Sequence, residues 1–366
     1  MNLAAETKPS VSVLIPAYNK ERHIVRAIRS VFAGNRTDLE VVVADDASSD
    51  RTAEIVREMT ASDPRIRLVV HGENQGTLRT RMDAFKASSG KYILCLDADD
   101  TLDPECADTL FLLAEKENAD ITGFGARLLH DGRTTGTVDA LRHTLTGSNI
   151  FETAFCRHLY NWSVCLKLIR RDLFERAAAE AEPIRCVSAE DFYFYTVLSF
   201  FARRLVFCGK IFYNYHISEG LTGSGPESFR RYASMLDALQ AVRRFLVRQG
   251  VGEKYAAAFA EREREHFRLL LKRFPGDADS LAFLTGKYDP QAVRKYLAEF
   301  FSPEYADAAF DALERKTGFP PALAGKPSSE EKAPFRKLRD LLLPPESWGW
   351  FLVKRSVDWF RWREYS

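Results

Sequence analysis

The sequence predicts an α/β protein: a doubly wound, mostly parallel sheet with helices on both faces, followed by a mainly helical C-terminal region. Three observations carry this. Four strand-like runs alternate with four helix-like runs over the first 120 residues, the rhythm of a parallel sheet covered on both faces. The strand runs are continuously apolar, as buried strands are. Polar residues collect at their C-terminal ends (Tyr18 and Asn19, Asp45 and Asp46, Asp97 and Asp99), where such sheets bind ligands.

The elements follow in order. "VSVLIPA" (11–17) is strand one, ending on a Pro. "KERHIVRAIRSVFAG" (20–34) places Ile24, Ala27, Ile28, Val31 and Phe32 at helical spacing and stops at Gly34. "LEVVVADD" (39–46) is strand two, and "SSDRTAEIVREMTAS" (48–62) is a helix opening on cap-type residues. Strand three is "IRLVV" (66–70), followed by the helix "GTLRTRMDAFKASSG" (76–90), closed by Gly90. "YILCLD" (92–97) is strand four, and Pro104 starts the helix 104–119. Residues 119–139 read as two strands around an Asp-Gly turn at 131–132. "VCLKLIR" is a further strand, 188–204 an apolar helix with an acidic start, and 205–218 a return to strand. This organisation divides the chain into an α/β part (1–224), a helical region (225–324) and a polar linker with a Trp-rich segment (325–366).

Bulk properties exclude several classes. The chain has 366 residues, 46% of them hydrophobic, with a net charge of +1, so no basic field points to nucleic acid. Six cysteines form no CxxC and no zinc spacing. The N-terminus lacks a basic region followed by an apolar one. No apolar run approaches membrane-spanning length. The expectation is a reducing cytoplasm with free thiols, open to peripheral contact with the cytoplasmic membrane face.

The chemistry concentrates in acids. "YILCLDADDTLDPE" (92–105) ends a buried strand with Asp97, Asp99 and Asp100. Carboxylates this close raise one another's pKa, and a hard divalent cation, Mn²⁺ or Mg²⁺, is the usual compensation. The bland alternative is an acid-rich helix start favoured by the macrodipole. In "VVVADDASSDRT" a carboxylate can accept an N–H from a pyrimidine ring, while Ser49 and Asp50 read equally as helix caps. Tyr18 in "IPAYNKE" is suited to stack on a base.

Taken together, "VSVLIPAYNKERHIVRAIRSV", "VVVADDASSDRTAEIV", "NQGTLRTR" and "GKYILCLDADDTLDPE" resemble a family 2 glycosyltransferase of the GT-A fold. The resemblance is strong over 10–130, extends to about 224 and fades beyond, and it implies a catalytic domain over 1–224 with nucleotide-sugar binding at 10–130 and the acceptor side and catalytic base at 140–224. It implies roles residue by residue. Pro16, Ala17 and Tyr18 resemble the first nucleotide-contacting turn, and Asp46 the acid that binds the base. Arg81 resembles the basic residue near the donor diphosphate, although the segment departs from the commoner pattern and leaves Arg79 as a rival. Asp97 resembles the ribose-side acid and Asp99 the principal metal ligand. Glu190-Asp191 in "VSAEDFYFY" resembles the pair whose Asp is the general base, with Glu190 in support. Trp162 falls in a segment that lines the acceptor side in related enzymes, with a core role as the alternative. His216 stands where relatives often place a basic or metal-contacting residue, with a structural role as the alternative.

The implied activity is inverting, metal-dependent transfer from a nucleotide-activated sugar, a UDP-sugar foremost, to a hydroxyl of a glycan or lipid-linked acceptor in cell-surface polysaccharide biosynthesis. A carboxylate must take the acceptor proton, and a metal must neutralise the departing diphosphate. A nucleotidyltransferase would carry a Gly-rich basic loop where this chain has "IPAYNKE", and a nicotinamide enzyme a GxGxxG after strand one. A non-catalytic sugar-nucleotide scaffold would have lost acids at key positions, yet Asp46, Asp97, Asp99 and Asp191 are all present. The aromatic and basic residues of 348–363 resemble an interfacial segment, against the reading that they pack on the catalytic domain or a second subunit. The helices of 226–316 suit acceptor binding or a homodimer contact.

Overall fold

The computed structural model describes residues 8–138, 143–157, 161–184, 189–217, 226–273 and 278–317. The linker and Trp-rich segments expected at 325–334 and 348–363 lie outside these. The chain folds as two compact units, Met1–His266 and Phe267–Ser366.

The first unit is built on one sheet. Its opening elements are β1 (Val11–Ala17), α1 (Ile24–Val31), β2 (Leu39–Asp45), α2 (Thr52–Ser62), β3 (Ile66–Val70), α3 (Thr77–Ala87), β4 (Tyr92–Cys95), β5 (Thr101–Leu102) and α4 (Cys106–Glu117). There follow β6 (Ile121–His130), β7 (Arg133–Val138), β8 (Thr144–Thr146), α5 (Ser148–Phe151), β9 (Lys167–Arg170), α6 (Arg171–Glu180), α7 (Glu190–Phe201), β10 (Arg204–His216) and α8 (Pro226–Arg248). The sheet order is β3-β2-β1-β4-β9-β6-β10-β5, with β7 on β6 and β8 on β10.

β3, β2, β1 and β4 are parallel, in register from Val11↔Leu39 to Ala17↔Asp45 across β1 and β2. Val13, Leu14, Ile15, Val41, Val42 and Val43 are wholly buried, which is why these strands show no apolar–polar alternation. The later half departs from the expected mostly parallel arrangement, because the sheet is mixed. β9 runs antiparallel to both β4 and β6, filling the gap between them. β5, β7 and β8 are also antiparallel to their neighbours. Antiparallel strands need no helical crossover, so the β-α rhythm stops after α4. The turn between β6 and β7 is the expected Asp-Gly, with φ of 48° at Asp131 and 73° at Gly132.

Two expected helix stops have another cause. α1 ends at Val31 and α3 at Ala87, so neither Gly34 nor Gly90 closes its helix. A Cβ at Gly34 would lie 2.1 Å from the Pro104 carbonyl oxygen, and one at Gly90 2.6 Å from the Ser12 backbone nitrogen. Close backbone approach, not helix termination, requires glycine at both. α1 also starts later than residue 20. The Lys20 and Glu21 N–H groups are already bonded to Thr52 Oγ1 and Asp50 Oδ2, fixing this stretch as a loop.

α8 packs on α7, with Phe200 and Phe245 edge to face at 5.2 Å. Helix α9 (Ala256–Arg273) leads into the second unit. There α10 (Ala278–Lys287), α11 (Pro290–Phe300) and α12 (Pro303–Thr317) bury Leu281, Leu284, Val293, Leu297 and Ala309. Asp289 caps α11 through the Gln291 N–H, with Pro290 in the first turn. No described helix is long and apolar enough to cross a membrane.

Candidate active site

The ends of β1 and β2 form the first wall. Pro16 and Ala17 close β1, Ala17 lies opposite Asp45, and Tyr18 is 48% exposed. Asn19 (φ 53°) and Ala47 (φ 60°) both take left-handed conformations beside these residues. The turn is laced to the next loop: Asn19 N–H donates to Ser48 Oγ, and Ser49 N–H to Asn19 Oδ1. Asp45 accepts from the Ser48 N–H and hydroxyl. Asp46 is buried and accepts the Gln75 N–H at 2.7 Å, the Gly76 N–H at 2.9 Å and a contact from His71 Nδ1 at 2.9 Å. Burial works against its charge, but these donors more than offset it and hold the carboxyl below its ordinary value. Asp46 therefore fixes the entry to α3. Asp50 accepts the Thr52 and Glu21 N–H groups, the capping role expected as its alternative.

The second wall is the acidic loop after β4. Asp100 is buried, accepting the Tyr213 hydroxyl at 2.7 Å and the His216 N–H at 2.8 Å. Burial, with Asp97 and Asp99 adjacent, raises its pKa well above the ordinary range. Asp100 thus ties the loop to β10. Asp99 pairs with Lys20 Nζ at 2.5 Å, and its carbonyl accepts Arg26 Nη2 at 2.6 Å. The Asp97 N–H donates to the Tyr213 hydroxyl. Burial pushes the Asp97 carboxyl up to about 6, Arg81 opposes this, and Asp191 and Asp99 add to it. Its side chain stays 40% exposed, so water screens part of that rise.

Asp191 stands in the first turn of α7, entered through Ala189 at φ 80°. Its Oδ1 accepts Arg81 Nη1 at 2.7 Å. Its Oδ2 accepts the Ser163 hydroxyl and the Val164 N–H, both at 3.2 Å. Arg81 is buried on α3, and its Nη2 lies 3.7 Å from Asp97 Oδ1. One guanidinium thus joins the acid after β4 to the acid starting α7. Burial and the adjacent Asp191 raise the Glu190 pKa, favouring its neutral form. Trp162 meets the Phe192 ring edge to face at 6.2 Å, beside the segment that holds Asp191.

Asp97, Arg81 and Asp191 are therefore brought together, and Trp162 reaches them through Ser163 and Phe192. The rival Arg79 is 49% exposed and pairs with Asp83. His216 is placed beside the acidic loop by its backbone, its Nε2 3.4 Å from Thr101 Oγ1. Among the described residues no group of three His, Cys, Asp or Glu is arranged around a metal position. Lys20, Tyr213, Ser163 and Lys167 escaped sequence reasoning, since Lys20 sits in a run that reads as an ordinary helix start and the others in runs that read as ordinary loop or strand.

Residues 12–176 match the family model described as glycosyl transferase family 2. The chain is 32% identical over 173 residues to the uncharacterized glycosyltransferase EpsJ of Bacillus subtilis (strain 168), covering 46% of this chain and half the length of that relative. It is 28% identical over 304 residues to the succinoglycan biosynthesis protein ExoO of Rhizobium meliloti (strain 1021), covering 80% of this chain and 85% of ExoO. Among solved structures, S. aureus TarS 1-349 in complex with UDP-GlcNAc is similar at TM-score 0.51 and 20% identity, over 85% of this chain and 92% of that one. That likeness is one of fold. The family motifs stand at the carboxyl ends of β1, β2 and β4, within the residues 12–176 that match glycosyl transferase family 2.

Proposed function

We propose that the first unit transfers a sugar from a nucleoside diphosphate donor, a UDP-sugar foremost, to a hydroxyl of a glycan or lipid-linked acceptor, with inversion. The observation that carries this is the Asp97–Arg81–Asp191 bridge. It sets a carboxylate on the donor side and a carboxylate suited to proton abstraction on either side of one buried cation. The UDP-GlcNAc complex of TarS supports the uridine reading. ExoO, named for succinoglycan biosynthesis, supports a surface polysaccharide.

In this reading Tyr18 stacks on the base, Asp46 receives its ring N–H, and Asp97 faces the ribose. The acceptor hydroxyl loses its proton to Asp191 as its oxygen attacks the anomeric carbon. Ser163 and Val164 orient that carboxylate, and Trp162 offers a face for the acceptor sugar. Arg81 keeps Asp191 and Asp97 from repelling one another and lies near the departing diphosphate.

The residues fit a divalent ion brought by the donor. An ion there would take the place of Lys20 Nζ on Asp99, and Mg²⁺ or Mn²⁺ with one or two protein carboxylates takes its other ligands from phosphates and water. Asp99 would hold it, with His216 as the second expected ligand. Such an ion neutralises charge growing on the leaving diphosphate.

The test is release of nucleoside diphosphate from UDP-, GDP- and dTDP-sugars, with and without Mn²⁺. Metal-dependent release from one donor is the expected result. Silence across all donors, joined by no thermal shift with any nucleotide, would overturn the reading.

A further inference from the structure

A lysine lies buried behind the proposed base. Lys167 opens β9, is only 2% exposed, and sits 4.0 Å above the Tyr195 ring. Its Nζ donates to two carbonyl oxygens, Asn161 O and Ser163 O, both at 2.6 Å. These carbonyls flank Trp162. The same short segment supplies the Ser163 hydroxyl and the Val164 N–H that bind Asp191 Oδ2. The Asn161 side chain tightens it further by accepting the Ser163 N–H at 2.7 Å.

An ammonium taken out of water is costly unless paired and hydrogen-bonded. Burial pulls the Lys167 pKa down to about 7, while the charge of Asp191 pulls it back. The two carbonyl acceptors favour the charged form. An apolar side chain of similar length would fill this space without the desolvation cost. Packing therefore does not explain the lysine, whereas fixing the backbone at 161 and 163 does.

We propose that Lys167 is a positioning residue for the transfer reaction: its ammonium locks the Asn161–Ser163 segment so that Ser163 and Val164 present their donors to Asp191 and Trp162 stays on the acceptor side. Lys167 touches neither substrate nor base. It acts through the backbone it holds, on one oxygen of Asp191, while Arg81 holds the other.

This inference rests on the glycosyl-transfer reading, and the experiment separates the two. Lys167→Met is compared with wild type for turnover of the donor that wild type hydrolyses, for donor KM and for thermal midpoint. The expected result is a kcat reduced about 10²-fold, the scale of a small misplacement of a reacting group, with donor KM unchanged and the variant folded at the assay temperature, its midpoint somewhat lowered because two carbonyls lose their donor. Adding Ser163→Ala to Lys167→Met lowers kcat little further, because both act on the same oxygen. If Lys167→Met does not fold, Ser163→Ala alone decides, with the same split of kcat from KM expected. A kcat within twofold of wild type in the folded variant would overturn the proposal. So would loss of activity in step with loss of folded protein. If wild type turns over no donor, the function reading fails by itself. The crystal structure of Lys167→Met then decides the positioning claim: Ser163 Oγ displaced beyond hydrogen-bond reach of Asp191 supports it, and an unchanged contact refutes it.

Discussion

The two halves of the sheet domain handle negative charge differently. On the β1–β2 side, carboxylates are met by backbone N–H groups and short side chains: Asp45 by Ser48, Asp46 by Gln75 and Gly76, Asp50 by Glu21 and Thr52. On the β4–α7 side three are met by long cations, Asp99 by Lys20 and Asp97 and Asp191 by Arg81, while Asp100 keeps the Tyr213 hydroxyl and the His216 N–H. The first arrangement lowers the pKa of Asp46 and Asp50, and the second leaves Asp97 and Glu190 raised. Backbone donors are fixed by the fold, so the first half builds loop shape. A side-chain cation can reach acids on distant elements, so the second half ties the β4 loop to α7.

The largest expected consequence falls on Arg81. Arg81→Met leaves Asp97 and Asp191 facing each other without their shared cation. Stability falls by about 3–5 kcal/mol, the usual cost of breaking a buried pair, and transfer is abolished. Arg79→Ala, at the exposed neighbour, stays within about 0.5 kcal/mol. Urea unfolding of the two variants checks this, and equal effects would erase the distinction between the rivals.

A pH response is expected through His266 on α9, which lies 5.9 Å from the Phe192 ring on α7. Burial, with the charge of Arg262, lowers its pKa to about 4, although the Arg262 carbonyl opposes this. The folded protein keeps His266 neutral to about 4, while the unfolded chain takes a proton near the ordinary value of 6.5. Stability from this group is therefore complete above 6.5 and is lost as pH falls toward 4, by roughly 3 kcal/mol in all. Melting profiles of His266→Phe should lack this part of the acid slope, and a slope equal to wild type would count against it.

On the β1–β2 side, Asp46→Ala strands the Gln75 and Gly76 N–H groups and should cost about 1–3 kcal/mol without any ligand present. Denaturant titration of the free protein reads this directly. Unchanged stability there would mean that Asp46 serves binding alone. The smallest effect has the opposite sign. Ala47→Gly relieves a left-handed alanine and should stabilise by up to about 1 kcal/mol, seen as a small rise in thermal midpoint.

Much of this was legible because it is local. The parallel strands, the acids at their ends and the Asp-Gly hairpin each lie within one short run of sequence. What stayed hidden depends on distance along the chain. Arg81 and Asp191 are 110 positions apart, and no periodicity links them. Lys167 looks like one polar residue in a strand, because only the fold shows that the backbone at 161 and 163 turns back over it. Gly90 looked like a helix stop because sequence alone cannot show that Ser12 lies against it. β9 is legible as a strand in "VCLKLIR", but its antiparallel direction is not, since direction is set by where the chain re-enters the sheet.

The most direct test of the account is Asp191→Asn, followed by UDP calorimetry and by rapid-quench transfer from the active donor. Asparagine keeps the shape of the site but cannot accept the acceptor proton. The account predicts UDP affinity within about twofold of wild type and a transfer rate lowered about 10²–10⁴-fold, the range general-base catalysis supplies. A variant that transfers sugar at the wild-type rate would contradict it and return Asp191 to the role of a helix-start acid paired with Arg81.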